Sequence, residues 1–312
     1  MLQWLFLSLL IITIVSLLAI GLLCRLLLSP KRFSYETTYK LGIEKGEFDD
    51  QLFHATPKEE LFIDSYHGYK LHGMFFPVTK GKKVIIIAHG ITWSLFGSFK
   101  YVKMFQKRGF HVLLCDHRYH GLSGGNYTSY GYFEKDDLQA WIDYLAERIG
   151  DNAFIGLLGE SLGAASALEI SKRDHRVSFC IADCSFSDFQ SLLRLKLKMN
   201  TKLKLYPLIN IVSFLIKLRH GWSFPDISPI KGLEKTKTPI LFIHGKEDSF
   251  IPLQMTIDMF KRKIGNKKLY LVPRAGHAEA YNTDPRGYEN KVIEFIKDIE
   301  EVCNRDHANL TL

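Results

Sequence analysis

Residues 159–163 read Gly159-Glu160-Ser161-Leu162-Gly163, a serine with glycine two positions away on each side. The apolar run Phe154 to Leu158 stops at the first glycine, and a small-residue, helix-prone segment begins just after the serine. A serine at the tip of so tight a strand–turn–helix has its hydroxyl pushed out of the sheet, and the turn demands small residues at the flanking positions. A hydroxyl is a weak nucleophile at neutral pH, so it needs a base, and the base needs an acid to orient it. His277, preceded by Gly276 in the loop after the last apolar run, is the strongest candidate base. His244 also follows a run, but its His-Gly pair reads as turn-shaping, and His307 lies in a polar tail. Two acids stand between the serine and the histidine, Asp248 just beyond His244-Gly245 and Asp183 directly after another run, with Asp248 preferred. A developing oxyanion needs preorganised N–H donors. Leu162 should supply one, and Ile91 the other, where Gly90 lets the chain turn in close; His89 reads as a structural hydrogen-bonding residue.

These residues need elements to hold them. Leu61–Ile63 and Leu71–Phe76 read as two strands around a turn at His67-Gly68. Val84–Ala88, Val112–Cys115, Phe154–Leu158, Phe179–Ala182, Ile240–Ile243 and Leu269–Val272 are short, apolar and bounded by turn residues. Helical patterns lie between them, near Phe99–Lys107, Glu134–Arg148, Leu162–Lys172, Leu253–Lys263 and Tyr288–Glu301. Strands alternating with helices predict an α/β fold with a mostly parallel sheet and helices on both faces. In such sheets ligands gather beyond the carboxyl ends of the strands. The candidate residues all fall in those loops.

Residues Leu2 to Cys24 carry no charge, and the apolar run continues past Arg25 to Leu28, long enough to cross a hydrocarbon core as a helix. The run lacks a basic leader and a small-x-small cleavage site, which favours a retained anchor (residues 1–28) over a cleaved signal peptide. Arg25, Lys31, Arg32 and Lys40 all follow the span, so the positive-inside tendency places the catalytic domain in the cytoplasm. Residues 29–60 read as a juxtamembrane connector with room for a helix at the domain's edge, residues 61–303 as the main domain, and residues 304–312 as a tail. The five cysteines are few, odd in number and mostly within apolar runs, which points to core packing rather than disulfides; Cys180 and Cys184 have a metal-like spacing without a second pair. Of the formal charge of +8, the segment 185–237 carries +7, from ten Lys/Arg against three Asp/Glu. It is too long for a simple crossover and reads as a helical cap over the site. The alternation of leucine with Arg194, Lys196 and Lys198, and of Leu203 and Leu205 with Lys202 and Lys204, is closer to a strand period than to an amphipathic helix. Its lysines face solvent in the simpler reading and touch anionic lipid in the sharper one. No nucleic-acid motif accompanies the charge, so nucleic acid is not an expected partner.

The set His89-Gly90, Asp116-x-Arg118-x-x-Gly121-x-Ser123-x-Gly125, Gly159-x-Ser161-x-Gly163, His244-Gly245-x-x-Asp248 and Gly276-His277 resembles the α/β-hydrolase superfamily over roughly Leu61 to Glu301. With the N-terminal anchor and the stretch Ser129–Leu138, the chain is similar to membrane-anchored hydrolases of Gram-positive bacteria, near the serine aminopeptidase-like and acyl-thioesterase-like branches. The resemblance implies an α/β-hydrolase fold with a cap insertion and a Ser161–Asp248–His277 triad. The His-Gly-Ile oxyanion loop departs from the longer His-Gly-Gly-Gly of many lipases, so lipase specificity does not follow. The expected activity is that of a serine hydrolase (carboxylesterase, thioesterase or aminopeptidase-like) cleaving the ester, thioester or small amide of a small acyl substrate, with no metal or organic cofactor. An acyltransferase using the same triad and a non-catalytic membrane adaptor are the alternatives.

Overall fold

The computed structural model describes all residues except 151, 202–205 and 311–312, and the side chains of Leu2, Ser16, Asn200, Thr201 and residues 303–310 are likewise outside it. The expected alternation at 202–205 and the side chains of Cys303 and His307 therefore lie outside the described residues.

Eight strands, β1 (Glu59–Asp64), β2 (Lys70–Phe76), β3 (Lys83–Ala88), β4 (Phe110–Cys115), β5 (Phe154–Glu160), β6 (Val177–Asp183), β7 (Ile240–Gly245) and β8 (Lys267–Val272), form one sheet in the order β1-β2-β4-β3-β5-β6-β7-β8. The opening hairpin is antiparallel, β2 runs antiparallel to β4, and every later pairing is parallel. All the parallel strands thus end on the same edge, and the candidate residues are carried there together. Alternating residues feed the two faces: Ile85 and Ile87 join one buried cluster, Val84 and Ile86 the other.

Helix α1 (Leu2–Leu28) is followed by α2 (Tyr35–Glu44) and α3 (Asp50–Ala55), whose ends are capped by Ser34 and Asp49 side chains. The connector is more than an edge. Phe48 and Phe53 pack edge-on against Phe99 at 5.3 and 5.1 Å, inside the core cluster of one sheet face. A 3₁₀ turn over Leu95–Tyr101 precedes α4 (Val102–Gln106), where the sequence suggested one helix from Phe99. Helix α5 (Glu134–Ile149) and α6 (Leu162–Ser171) cover the opposite face.

Between β6 and β7 stand α7 (Phe189–Thr201) and α8 (Tyr206–His220). The strand-like alternation at Arg194–Lys198 was misleading, because the segment is helical. Leu192, Leu193 and Leu197 lie at helical spacing against a third cluster, built around Phe186, Phe189, Trp222 and Phe224. Helices α9 (Leu253–Arg262), α10 (Ala280–Thr283) and α11 (Pro285–Leu310) complete the chain.

Candidate active site

Ser161 sits between β5 and α6 with φ 53° and ψ −109°, a strained backbone for a residue with a side chain. The flanking glycines are forced. A Cβ on Gly159 would lie 2.2 Å from the carbonyl carbon of Gly163, and one on Gly163 would lie 2.1 Å from the carbonyl oxygen of Ala88. The Ser161 N–H donates to the carbonyl of Asp183 at 2.9 Å, which ties the elbow to the end of β6.

His277 lies in the loop after β8. That loop is pinned to the end of β7, where the Lys246 N–H donates to the Val272 carbonyl and the Glu247 N–H to that of Ala275. Its Nε2 is 3.0 Å from Ser161 Oγ and its Nδ1 is 2.7 Å from Asp248 Oδ2. With Nδ1–H donating to the carboxylate, the Nε2 lone pair faces the serine hydroxyl, which is the tautomer a general base requires.

Asp248 is fully buried at its carboxylate, yet held well below the usual carboxylate range. Burial alone would push it up; hydrogen bonds from His244 and His277 and the backbone N–H of Ile251 outweigh that. Oδ1 accepts the N–H groups of Phe250 and Ile251, both at 2.8 Å. His244 does more than shape a turn. Its Nδ1 pairs with the Thr256 hydroxyl at 2.8 Å, leaving Nε2 3.0 Å from the Ile251 carbonyl and 3.2 Å from Asp248 Oδ2.

Asp183, the other candidate acid, makes no contact with His277. It is fully buried opposite Glu160 in the β5–β6 register, with the Tyr288 hydroxyl in weak contact and no well-formed hydrogen bond to either carboxylate oxygen among the described residues. Burial first, then the neighbouring Glu160 charge, pushes it up to about 7, against a smaller opposing pull from Lys100. Lys100 itself pairs with Glu160 at 2.8 Å, so the residue preceding the serine anchors a buried ionic cluster beneath the elbow.

The main-chain N–H groups of Leu162 and Ile91 have no acceptor among the described residues, and both residues line the cavity over Ser161. A Cβ on Gly90 would sit at an ordinary 3.6 Å from the Ser161 Cβ, so close approach does not require glycine there. The left-handed turn falls instead on Thr92, φ 74°. Sequence reasoning missed what holds this loop. The Thr92 N–H donates to His120 Nε2 at 3.1 Å, and the His117 N–H donates to His89 Nε2 at 3.1 Å. Asp116 accepts from the Leu95 N–H at 2.7 Å and pairs with His72 Nδ1 at 2.6 Å. His89 is pushed well below its usual range and His120 below its own, chiefly by burial, so both stay neutral acceptors. The histidine-rich stretch after β4 was the visible signal.

Two cavities flank the Ser161–His277 pair. One of about 260 Å³ opens over Ser161 and is walled by Ile91, Leu162, Phe186, Phe189 and Phe250, with Pro30 from just beyond α1. The other, about 280 Å³, reaches His277 and Gly90 and is lined by Lys45, Glu47, Lys100, Glu160 and Asn282. Among the described residues one metal-like group occurs, with ligand atoms of Cys184, Asp248 and His277 within 4.8 Å of one another. It is a poor ligand set: Asp248 and His277 are committed to each other, and burial beside Asp183 and Glu160 holds the Cys184 thiol protonated.

An eight-stranded, mostly parallel sheet with a serine elbow on β5 and a hydrogen-bonded serine–histidine–aspartate chain across its strand ends defines a class, the α/β hydrolases. Comparison with known proteins agrees. The chain is 34% identical over 291 residues to the uncharacterized protein YqkD of Bacillus subtilis, covering 92% of this chain and 95% of that one. It is 27% identical over 254 residues to the alpha/beta hydrolase domain-containing protein WAV2 of Arabidopsis thaliana, covering 77% and 78%. Residues 79–203 match the family described as serine aminopeptidase, S33. Among solved structures it superposes on the esterase Pf2001 of Pyrococcus furiosus with a TM-score of 0.67 at 22% identity, over 87% of this chain and 97% of that one. The chain belongs to the α/β-hydrolase superfamily.

Proposed function

We propose that the protein is a serine hydrolase that cleaves an ester, thioester or small amide through an acyl-enzyme. The observation that carries this reading is the unbroken chain Ser161 Oγ–His277–Asp248, with bonds of 3.0 and 2.7 Å. Ser161 Oγ attacks the carbonyl carbon as His277 Nε2 takes its proton. The tetrahedral oxyanion is held by the Leu162 and Ile91 N–H groups. His277 then gives the proton to the leaving oxygen, sulfur or nitrogen as its bond to carbon breaks. Water then attacks the acyl carbon as His277 takes its proton. The bond from that carbon to Ser161 Oγ breaks and the proton passes to Oγ, which releases the carboxylic acid and restores the serine. The cavity over Ser161 suits an apolar acyl group, and the charged cavity beyond His277 suits a polar leaving group. Labelling with a fluorophosphonate tests the nucleophile: wild type should label and Ser161→Ala should not. Equal labelling of both would remove Ser161 from its role.

The same reading places the chain on a membrane. One described helix is long and apolar enough to span a bilayer. Retention rather than cleavage is supported by Leu28, which is 6% exposed within the cap cluster. The cations following the span support a cytoplasmic catalytic domain. Protease added to intact cells should then leave the domain uncut, and rapid digestion from outside would reverse the orientation.

A further inference from the structure

We infer that the site, given the catalytic reading above, draws its substrate sideways out of the bilayer, and that this substrate is a lipid ester whose acyl chain lies in a groove between the anchor helix and the cap. The anchor is longer than a bilayer core. Its 27 residues span about 40 Å against a hydrocarbon thickness of about 30 Å, so the last turns stand at the interface. There they become part of the hydrolase. The Leu28 carbonyl accepts the Thr128 N–H at 2.9 Å, and the Leu27 carbonyl accepts the Tyr130 hydroxyl at 2.6 Å. Tyr130 in turn walls the Ser161 cavity, as does Pro30.

A second apolar cavity of about 280 Å³ lies between these anchor turns and the cap, lined by Leu23, Leu27, Leu197, Leu208 and Val212. It shares Leu193 and Lys196 with the cavity over Ser161, so the two meet along one side of α7. Lys196 is the one cation at the junction, and it does not close it. Its ammonium bonds the Ser249 carbonyl at 3.1 Å and lies 4.5 Å over the Phe250 ring, which leaves the alkyl stem as wall. A chain of leucines thus runs from a membrane-spanning helix to a nucleophile.

The outer face of the cap fits the same placement. Ile211, Phe214 and Leu218, at helical spacing on α8, are 46, 59 and 68% exposed, and Leu22 and Leu26 of the neighbouring anchor are exposed as well. Lys217 and Arg219 in the last turn of α8 and Arg25 in the last turn of the anchor put positive charge at the same end of that face, Arg25 and Arg219 sharing one cleft with Leu218. Apolar side chains fringed by cations fit the headgroup boundary of an anionic leaflet. A groove opening at that depth meets acyl chains, not dissolved esters.

Leu208 and Leu23 line the groove without touching the Ser161 cavity, so Leu208→Trp and Leu23→Trp separate access from chemistry. The full chain, reconstituted in phosphatidylcholine–phosphatidylglycerol vesicles, is reacted with a bilayer-embedded hexadecyl fluorophosphonate and with a short, water-soluble one. In each reaction Ser161 Oγ bonds phosphorus, fluoride leaves and His277 takes the hydroxyl proton. Each variant should slow labelling by the hexadecyl probe at least about tenfold, about 1.4 kcal/mol, while the short probe stays within about twofold. Unchanged hexadecyl labelling, or equal slowing of both probes in both variants, overturns the groove. Reaction of the short probe in every variant also reports that the fold survived. Failure of both probes to label wild type at Ser161 overturns the catalytic reading, and the lipid inference with it.

Discussion

Two aspartates end neighbouring strands of the same sheet and have opposite fates. Asp248, after β7, turns into a loop where two N–H groups and two imidazoles converge on its oxygens. Asp183, the last residue of β6, points into the interior beside Glu160, where the Tyr288 hydroxyl offers only a weak contact and no well-formed hydrogen bond reaches either oxygen among the described residues. Both are desolvated, so burial does not separate them. What separates them is hydrogen bonding to the charged form, which drives one carboxyl far down and leaves the other near neutrality. A carboxylate that steadies an imidazolium must stay ionised, a condition the surroundings of Asp248 meet and those of Asp183 do not.

The sharpest way to break this contrast is kinetic. Asp248→Asn should lower kcat on a short-chain ester by about 10³–10⁴-fold, as loss of the orienting carboxylate does in serine triads, while Asp183→Asn should cost no more than about tenfold. Equal losses would make the two residues partners rather than opposites.

Stability against pH gives the next largest effect. Asp183 in the folded protein keeps its proton up to about pH 7, whereas the unfolded chain releases it near 4. Between those values the native state binds more protons, so stability falls as pH rises. Asp183→Asn removes that decline. In urea titrations the variant should gain on wild type by roughly 1–3 kcal/mol from pH 4 to 8. Asp248 runs the other way: its depressed value supplies stability above the ordinary carboxylate range that is lost on acidification, and Asp248→Asn should flatten the acid limb. A variant curve parallel to wild type would erase the distinction.

The smallest effect belongs to the side chain behind the acid. His244→Gln removes one donor to Asp248 and should lower kcat about tenfold with little change in KM, the size expected for one hydrogen bond to a charged group. A change confined to KM would assign His244 to substrate binding.

Much of this arrangement was legible in the chain. Six parallel strands announced themselves as short apolar runs, and each ran into a loop bearing histidine, aspartate or serine. Chain order alone could not choose between Asp183 and Asp248, because both follow strands and precede His277. The choice rests on register: Asp183 pairs opposite Glu160, inside the sheet, and Asp248 lies three residues beyond the end of β7. The roles of residues 29–60 were hidden for a different reason. Tyr35 and Tyr39 share one face of α2 at i, i+4, but so short a pattern does not carry on to Phe48 and Phe53, and the packing partner of all four, Phe96, lies more than 40 residues further on. The α7 leucines misled because alternation with lysine mimics a strand, while their contacts come from Ile209 and Val212 of α8.

The bonds from Thr128 and Tyr130 to the last carbonyls of α1 have a consequence for anyone handling the protein in solution. The obvious place to trim the chain for soluble expression, just after Leu28, would cut through an interior. It would strip Leu27 and Leu28 from Phe186, Phe189 and Trp222 and orphan two polar groups at the pocket wall. Such a protein should elute as aggregates and bind hydrophobic dye, whereas one beginning at Ala19, which keeps Ile20, Cys24 and Leu27 on the cap, should melt higher in detergent. Gel filtration and a thermal melt of the two truncations would show how much of α1 belongs to the folded domain.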